Sequence, residues 1–294
     1  MVQPMVNIFE TTNLIENELV ALHESVSFKF NAVVEEFITI LRSSDSLVFV
    51  PCSMGKDSST VLNAASEAYR VCIQNSWIEK TRPLIVSTVD TLSESLPMVM
   101  YTRWVKSKFI DYAKDNDINV YYDIVTPSFH EEYANKYLTS NKLIPNAQRN
   151  SDCSSILKIV PSERYLKNLL DRFKSDEELQ QYTRFDVICA TGQRNHESTK
   201  RKGNMVIQGT SDKSISDLLK EMKESDLNTG YPLFLYAPIR DWSTQEVFTS
   251  LELSGAKPLT RSLAGLPPLP ASFLISPCFW PFMGMLLLMS VRLQ

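Results

Sequence analysis

Five short apolar runs, each rich in β-branched residues and separated from the next by an amphipathic segment, constrain the fold of this chain most strongly. Runs of this kind are typical of buried strands, and the segments between them are long enough to form crossover helices. The alternation predicts an α/β fold in which a parallel sheet carries helices on both faces. Ligands of such sheets bind at the carboxyl ends of the strands. The predicted strands span residues 46–52, 84–90, 118–125, 185–191 and 232–237.

Helix signals surround these strands. Residues 8–43 show helical periodicity without an internal Pro or Gly, and we interpret them as two helices that lead into the first strand. Ser128 with Glu131, and Ser243 with Glu246, have capping-box spacing and predict helix starts directly after the third and fifth strands. The predicted domains are N-terminal helices that pack on the core (1–44), a nucleotide-binding α/β domain (45–255) and an apolar, Pro-rich tail (256–294).

The first predicted strand runs into a segment suited to holding a phosphate. Between Leu47 and Thr60, apolar residues give way to small and polar ones before a helix can begin. A helix N-terminus binds anions through its free N–H groups and its partial positive charge. The spacing differs from the Walker A pattern, so the sequence predicts a phosphate loop of another kind. Its candidate binding residues are Ser53, Gly55, Lys56, Asp57, Ser58 and Ser59.

Further motifs follow the loop in a fixed order: Asp90-Thr-Leu92, Arg149 to Cys153, Leu157-Lys-Ile-Val-Pro-Ser162, Ala190 to Thr199 and Ala237 to Ser243. Together with the loop, which resembles Ser-Gly-Gly-x-Asp-Ser, they are similar to the phosphoadenosine phosphosulfate (PAPS) reductase family of pyrophosphate-loop ATP alpha-hydrolases. Gly-x-Arg-x-x-Glu-Ser and Pro-x-x-Asp-Trp mark later strand ends in that family. The segment Cys-x-x-x-Leu-Lys-Ile-x-Pro is most similar to the DndC-type sulfurtransferases of DNA phosphorothioation. The resemblance covers residues 40 to about 255.

The resemblance implies an adenine-nucleotide alpha-hydrolase-like fold and an enzyme that cuts ATP between its α and β phosphates. ATP and Mg²⁺ are the implied cofactors. Backbone donors of the loop, Lys56 and a bound magnesium ion would stabilise the departing pyrophosphate. We expect Asp57 to cap the helix and orient the loop, with magnesium ligation as the alternative role.

Residues outside the loop receive roles from the same resemblance. Asp90 and Thr91 resemble adenosine-side contacts, and Gly192 belongs to the nucleotide site. Lys158 and Arg194 are the cations expected at the α phosphate or the acceptor, with an exposed helix lysine as the alternative for Lys158. Glu197 is placed to hold Arg194, with an ordinary surface ion pair as the alternative. Cys153 is the candidate persulfide carrier, and a packed, unreactive cysteine is the alternative. The predicted catalytic residues are therefore Lys56, Cys153, Lys158 and Arg194.

The leading functional hypothesis is an ATP-dependent sulfurtransferase that acts on a DNA backbone phosphate, with a cysteine desulfurase and other phosphorothioation proteins as partners. A PAPS or adenylylsulfate reductase is the closest alternative, although the Glu-Cys-Gly segment on which that reaction relies is absent. A non-catalytic nucleotide-binding partner is the third possibility. It is favoured by Met54 in place of a glycine and by Ile156 in place of a basic residue. Beyond the Asp-Trp motif stands only Cys278, so no iron–sulfur cluster is expected.

Composition narrows the remaining possibilities. Five dispersed cysteines and no N-terminal signal peptide lead us to expect a cytoplasmic protein without structural zinc. A net charge of −4 argues against indiscriminate binding of nucleic acid, although Arg194 and residues 200–202 form a local basic patch, or else a solvated loop. Residues 262–291 carry no charge. We interpret them as an altered or docked tail, with a membrane anchor as the alternative.

Overall fold

The computed structural model describes residues 8–139, 155–182, 186–224 and 231–253 of the 294-residue chain. Its centre is a five-stranded, all-parallel sheet with the strand order β3-β2-β1-β4-β5. All five predicted strands are present, with ends within two residues of the prediction, and the α/β class is confirmed. The strands are β1 (Leu47–Pro51), β2 (Leu84–Val89), β3 (Val120–Val125), β4 (Val187–Ala190) and β5 (Leu233–Tyr236).

Helices cover both faces of the sheet. The prediction of two N-terminal helices is wrong, because residues 8–43 form one continuous helix of 36 residues. Nothing in that stretch removes a backbone donor or breaks the turn, since it has neither Pro nor Gly. The described helices are α1 (Ile8–Ser43), α2 (Lys56–Gln74), α3 (Leu96–Asp115), α4 (Val160–Phe173), α5 (Thr199–Ile207), α6 (Ile215–Glu224) and α7 (Thr244–Leu253), and two π-helical turns span Ala134–Leu138 and Ser155–Ile159.

The period-two alternation of β1 divides the core into two layers. Val48 and Val50 point into a cluster that also contains buried side chains of α1, α2 and α7. Leu47 and Phe49 point to the opposite face, where they join Leu166 and its neighbours on α4. Every residue of β1 up to Val50 is buried. The strand therefore lies at the centre of the core and gives the following loop a rigid origin.

The strand order reverses at β1, which pairs with β2 on one side and with β4 on the other. Phe49 is in register with Ile85 of β2 and with Cys189 of β4. In open parallel sheets a crevice forms where the connections turn away to opposite sides, and ligands bind there. The segment after β1 begins at this point. The fold thus places the predicted phosphate loop at the switch point of the sheet.

Only one of the two predicted capping boxes starts an α-helix. The Ser243 hydroxyl accepts the Glu246 N–H and the Glu246 carboxylate accepts the Ser243 N–H, at the start of α7. Glu131 likewise accepts the Ser128 N–H, but a turn and then the π-helical turn follow. Glu131 also pairs with Arg164 of α4, and this contact ties the segment to a neighbouring helix. None of the described helices is long and apolar enough to cross a membrane, and the predicted tail at 256–294 lies outside the described residues.

Candidate functional site

The loop after β1 is held in a fixed conformation by its own side chains. Gly55 is the N-cap residue of α2 and has an extended backbone, with no side chain capping the helix. Met54 has a φ of +60°, in the left-handed region that favours the glycine of the resemblance. Such a conformation costs about 1–3 kcal/mol in a non-glycine residue. The Met54 side chain is buried, and its sulfur lies 3.9 Å from the Cys52 thiol and from the Tyr122 hydroxyl. This packing offsets the cost and holds the loop in place.

The loop serines bond mainly to one another and to the backbone. The Ser58 hydroxyl donates to the Gly55 carbonyl at 3.1 Å and lies 3.2 Å from the Ser53 hydroxyl. The Ser59 N–H already donates to the Gly55 carbonyl inside the helix. An anion at this helix start would therefore take the N–H groups that precede Ser59. Ser53 faces the cavity described below.

Asp57 does not cap the helix as predicted, because it lies in the first turn and Gly55 is the N-cap. One carboxylate oxygen, Oδ2, accepts a hydrogen bond from Lys56 Nζ at 2.9 Å. The other, Oδ1, accepts one from Arg194 Nε at 2.7 Å. Two cations thus share this carboxylate, and the described residues contain no group of three His, Cys, Asp or Glu side chains that could hold a metal. With both oxygens bonded to cations, Asp57 could ligate a magnesium ion only after Lys56 Nζ moves away from it.

Arg194 is buried, with 1% of its side chain exposed. Besides Asp57, its guanidinium contacts the Trp242 carbonyl and the Thr244 hydroxyl, each at 3.2 Å from Nη1. The prediction that Glu197 holds Arg194 is wrong: Glu197 pairs with Arg201 of α5 instead. Arg194 also does not line the cavity. It joins the start of α2, the end of β4 and the start of α7.

Gly192 makes the approach of β4 to α2 possible. A Cβ built on this residue would lie 2.7 Å from the Asp57 carbonyl carbon and 2.7 Å from the Ser58 nitrogen. Both are backbone atoms that cannot swing aside. Only glycine fits here without moving the chain. Gly192, which was predicted to belong to the nucleotide site, therefore has a packing role: it lets the chain after β4 lie against the loop.

A cavity of about 630 Å³ opens at the carboxyl ends of the strands. This volume lies within the range of small-molecule sites. It brings together Ser53 after β1, Asp90 after β2 and Lys158 on the second π-helical turn. Gly55, Lys56, Arg194 and Glu197 do not line it. The cavity thus gathers a hydroxyl, a carboxylate and an amine from three separate motifs, while the loop lysine is turned toward Phe248 of α7, 6.0 Å from its ring centre.

The two residues predicted beside adenosine have different environments. Asp90 lines the cavity, and one of its carboxylate oxygens accepts the Leu92 N–H at 2.9 Å. Thr91 is buried, and its hydroxyl bonds to Ser93 and Glu94. The structure therefore brings Asp90, but not Thr91, to the cavity. Asp90 holds the turn that follows β2, so its position depends on that turn.

Sequence reasoning missed several charged and polar residues of the lining. Glu94 lies in the turn before α3, Arg103 lies inside α3, and Glu163 comes from the first turn of α4. Thr191 and Gln193 flank the glycine that packs on the loop. The rule that ligands bind where strands end and helices begin is the signal that points to these positions. The carboxylates counteract Lys158, so the cavity is not uniformly positive.

Two cysteines line the cavity, and both are buried. Burial raises the pKa of the Cys189 thiol to about 12, and burial likewise raises the pKa of Cys52. Both groups are therefore protonated at neutral pH and are poor nucleophiles. The predicted sulfur carrier Cys153 and the neighbouring Arg149 lie outside the described residues, as does the side chain of Lys200 in the basic patch.

No family model matches this chain, and neither a curated protein nor a solved structure matches it.

Proposed function

We propose that the chain binds ATP at the switch point of the sheet and releases pyrophosphate, as a pyrophosphate-loop ATP alpha-hydrolase of the PAPS reductase type. One observation carries this proposal. Three motifs that are far apart in sequence converge on the Asp57–Arg194 ion pair. The loop supplies Asp57, the segment after β4 supplies Arg194 and packs Gly192 on the loop, and Trp242 and Thr244 accept hydrogen bonds from the Arg194 guanidinium. If the sequence resemblance were a chance match of unrelated fragments, there would be no reason for these motifs to lie together in the fold. The helix start of α2 beside a cavity of nucleotide size supports the same proposal.

The chemistry assigned to the site follows from its donors. The N–H groups at the start of α2 would receive the phosphates that leave as pyrophosphate, and Lys158 would face the α phosphate from the other side of the cavity. Lys56 would join the phosphates after leaving Asp57. Magnesium is proposed to enter as the counter-ion of ATP, and no described residue is assigned as its ligand.

The acceptor is proposed on the resemblance alone. It is a DNA backbone phosphate, which the enzyme would adenylate with release of pyrophosphate. A cysteine persulfide loaded by a cysteine desulfurase would then displace AMP, and a second thiol would cleave the resulting S–S bond, which leaves one sulfur on phosphorus and forms a disulfide. The two described thiols of the cavity are buried and protonated, so neither is proposed as the carrier. Cys153 keeps that proposed role, and the cytoplasm remains the proposed location.

A second candidate, a nucleotide-binding partner without catalysis, has its own supporting observation. Lys56 and Arg194 are both tied to Asp57 and do not line the cavity. If Lys56 stays there with nucleotide bound, the leaving pyrophosphate lacks a lysine from the loop. Binding would then occur without turnover.

Calorimetry with ATP, combined with a pyrophosphate-release assay, tests the proposal. We expect the chain to bind ATP, to release pyrophosphate in the presence of Mg²⁺ and to release none in excess EDTA. Binding without release in the presence of the desulfurase and DNA would favour the non-catalytic partner. Thioredoxin-dependent release of sulfite from PAPS would instead establish the reductase, and a chain that binds no ATP would contradict both the ATP alpha-hydrolase and the non-catalytic partner.

A matched pair of lysines tests the cavity itself. Lys158→Ala should weaken ATP binding because this amine lines the cavity. Lys167→Ala removes an exposed lysine of α4 that does not line it and serves as the control. Equal affinities in the two variants would place the nucleotide elsewhere.

A further inference from the structure

The carboxylate of Asp57 lies in the part of the helix where the proposed phosphates would bind. In the free protein, an acidic group in the first turn is favourable, because it faces the positive end of the helix dipole. For a phosphate ligand the same charge is repulsive. A loop that binds ATP must therefore keep Asp57 neutralised while the nucleotide is present.

Two cations neutralise Asp57, and they differ in how firmly they are held. Lys56 has 26% of its side chain exposed, and its amine contacts one carboxylate oxygen. Arg194 has 1% exposed and is held by three partners, Asp57 in α2 and Trp242 and Thr244 at the start of α7. A half-buried lysine at the surface can rotate toward a ligand, whereas a fully buried guanidinium with these bonds cannot. The two cations are thus suited to different tasks.

We propose that Arg194 is a positioning residue that keeps Asp57 fixed and neutralised when Lys56 transfers from Asp57 to the phosphates of the nucleotide. Arg194 then acts on the ligand through Asp57 and makes no phosphate contact of its own. This inference rests on the proposed function, because the ligand is the phosphate chain of ATP. It replaces the sequence-based expectation that Arg194 faces the α phosphate.

The inference has a charge-specific consequence. In Arg194→Gln, Lys56 is the sole remaining partner of Asp57 among the bonds described above, so it is held back from the phosphates. ATP should bind more weakly, whereas AMP, which lacks the leaving pyrophosphate, should be affected little. In the double variant Asp57→Asn/Arg194→Gln the carboxylate charge is gone, and Lys56 is free again. Adding Asp57→Asn to Arg194→Gln should therefore restore the ATP affinity that Arg194→Gln alone removes.

Calorimetry on the full chain, with ATP and AMP as probes, tests this consequence. We expect R194Q to raise the ATP Kd about tenfold or more and the AMP Kd less than about twofold. The double variant should bind ATP within about threefold of D57N alone. Arg70→Gln is the matched control, since Arg70 pairs with Glu67 further along α2 and does not line the cavity.

Each contrary result identifies a different error. A double variant that binds ATP as weakly as R194Q would mean that Arg194 contacts the phosphates directly. Equal losses for ATP and AMP would mean that Arg194 has only a structural role. If R194Q does not fold, Arg194→Lys is measured instead, because this variant keeps the positive charge next to Asp57. ATP binding that weakens more than AMP binding in this variant would overturn the proposal. Failure of the unmodified chain to bind ATP would overturn the proposed function itself, which separates the two failures.

Discussion

The substitution Gly192→Ala tests whether the close approach of β4 to α2 is a real constraint. The added Cβ would lie 2.7 Å from two backbone atoms of the loop. Carbon atoms in favourable contact are about 3.5–4.0 Å apart, so the methyl group would overlap by roughly 1 Å. Neither backbone atom belongs to a side chain that can rotate away. The end of β4 and the first turn of α2 would have to separate.

The expected cost follows from this geometry. Overpacking of a well-packed core destabilises by about 1–3 kcal/mol. At this chain length each kcal/mol corresponds to roughly 2–4 °C in Tm, so we expect a fall of about 2–12 °C. The shift should be accompanied by weaker ATP binding, because the first turn of α2 supplies the proposed phosphate donors. Urea unfolding and thermal unfolding monitored by circular dichroism measure the effect.

Gly203→Ala is the control and should have the opposite sign. Gly203 lies inside α5, and a Cβ there would meet no atom within 4 Å. Alanine is favoured over glycine in a helix interior by about 0.5–1 kcal/mol, so this variant should be slightly more stable than the unmodified chain. A Gly192→Ala variant with an unchanged or raised Tm would refute the packing argument.

Lys56→Ala should weaken ATP binding about 10- to 100-fold and abolish pyrophosphate release, because a charge-assisted contact is worth about 1.5–3 kcal/mol. Calorimetry measures the affinity and the pyrophosphate assay measures the turnover. Unchanged turnover would exclude the loop from the mechanism. Ser243→Ala removes a capping hydroxyl and should lower the free energy of unfolding by about 1 kcal/mol in urea titrations, whereas an unchanged value would mean that the cap is not needed. Partial burial opposes ionisation of Glu131, but the Arg164 guanidinium outweighs it and holds the pKa of Glu131 at about 2, below its ordinary 4.5. A carboxyl group with a depressed pKa stabilises the fold above its unfolded pKa and loses that effect as the pH falls. The difference in the free energy of unfolding between the unmodified chain and Glu131→Gln should therefore vanish between about pH 4.5 and 2. A difference that does not change with pH would contradict this. Removing residues 262–294 should leave ATP affinity unchanged and raise solubility, because residues 262–291 carry no charge, and an insoluble product would show that they belong to the core.

The strands could be predicted from sequence because their signal is local. A buried parallel strand such as β1 must be apolar on both faces, and β-branched residues stand out against the polar segments around it. The loop between β1 and α2 was equally accessible, since small and polar residues replace the apolar run after Pro51. The position of Met54 in the left-handed region agrees with the glycine expected there from the resemblance.

The partners of buried charges could not be predicted, because they depend on tertiary contacts. The resemblance paired Arg194 with Glu197, which is only three residues away in sequence. The structure instead pairs Arg194 with Asp57, which is 137 residues away, because the end of β4 is packed onto α2. Asp90 and Thr91 also show that tertiary surroundings cannot be read from sequence. They are adjacent in sequence, yet one lines the cavity and the other is buried in the turn.

The strand order also has a consequence for how the protein is made. During synthesis, β1, β2 and β3 can pair as soon as residue 125 has left the ribosome, but β1 has no neighbour on its other edge until β4 emerges about 60 residues later. At about 5–20 residues per second, that edge stays open for roughly 3–12 s. An unpaired apolar strand edge is a template for aggregation. The nascent chain therefore exposes an aggregation-prone edge during this interval, before β4 and the residues after it can complete the candidate site.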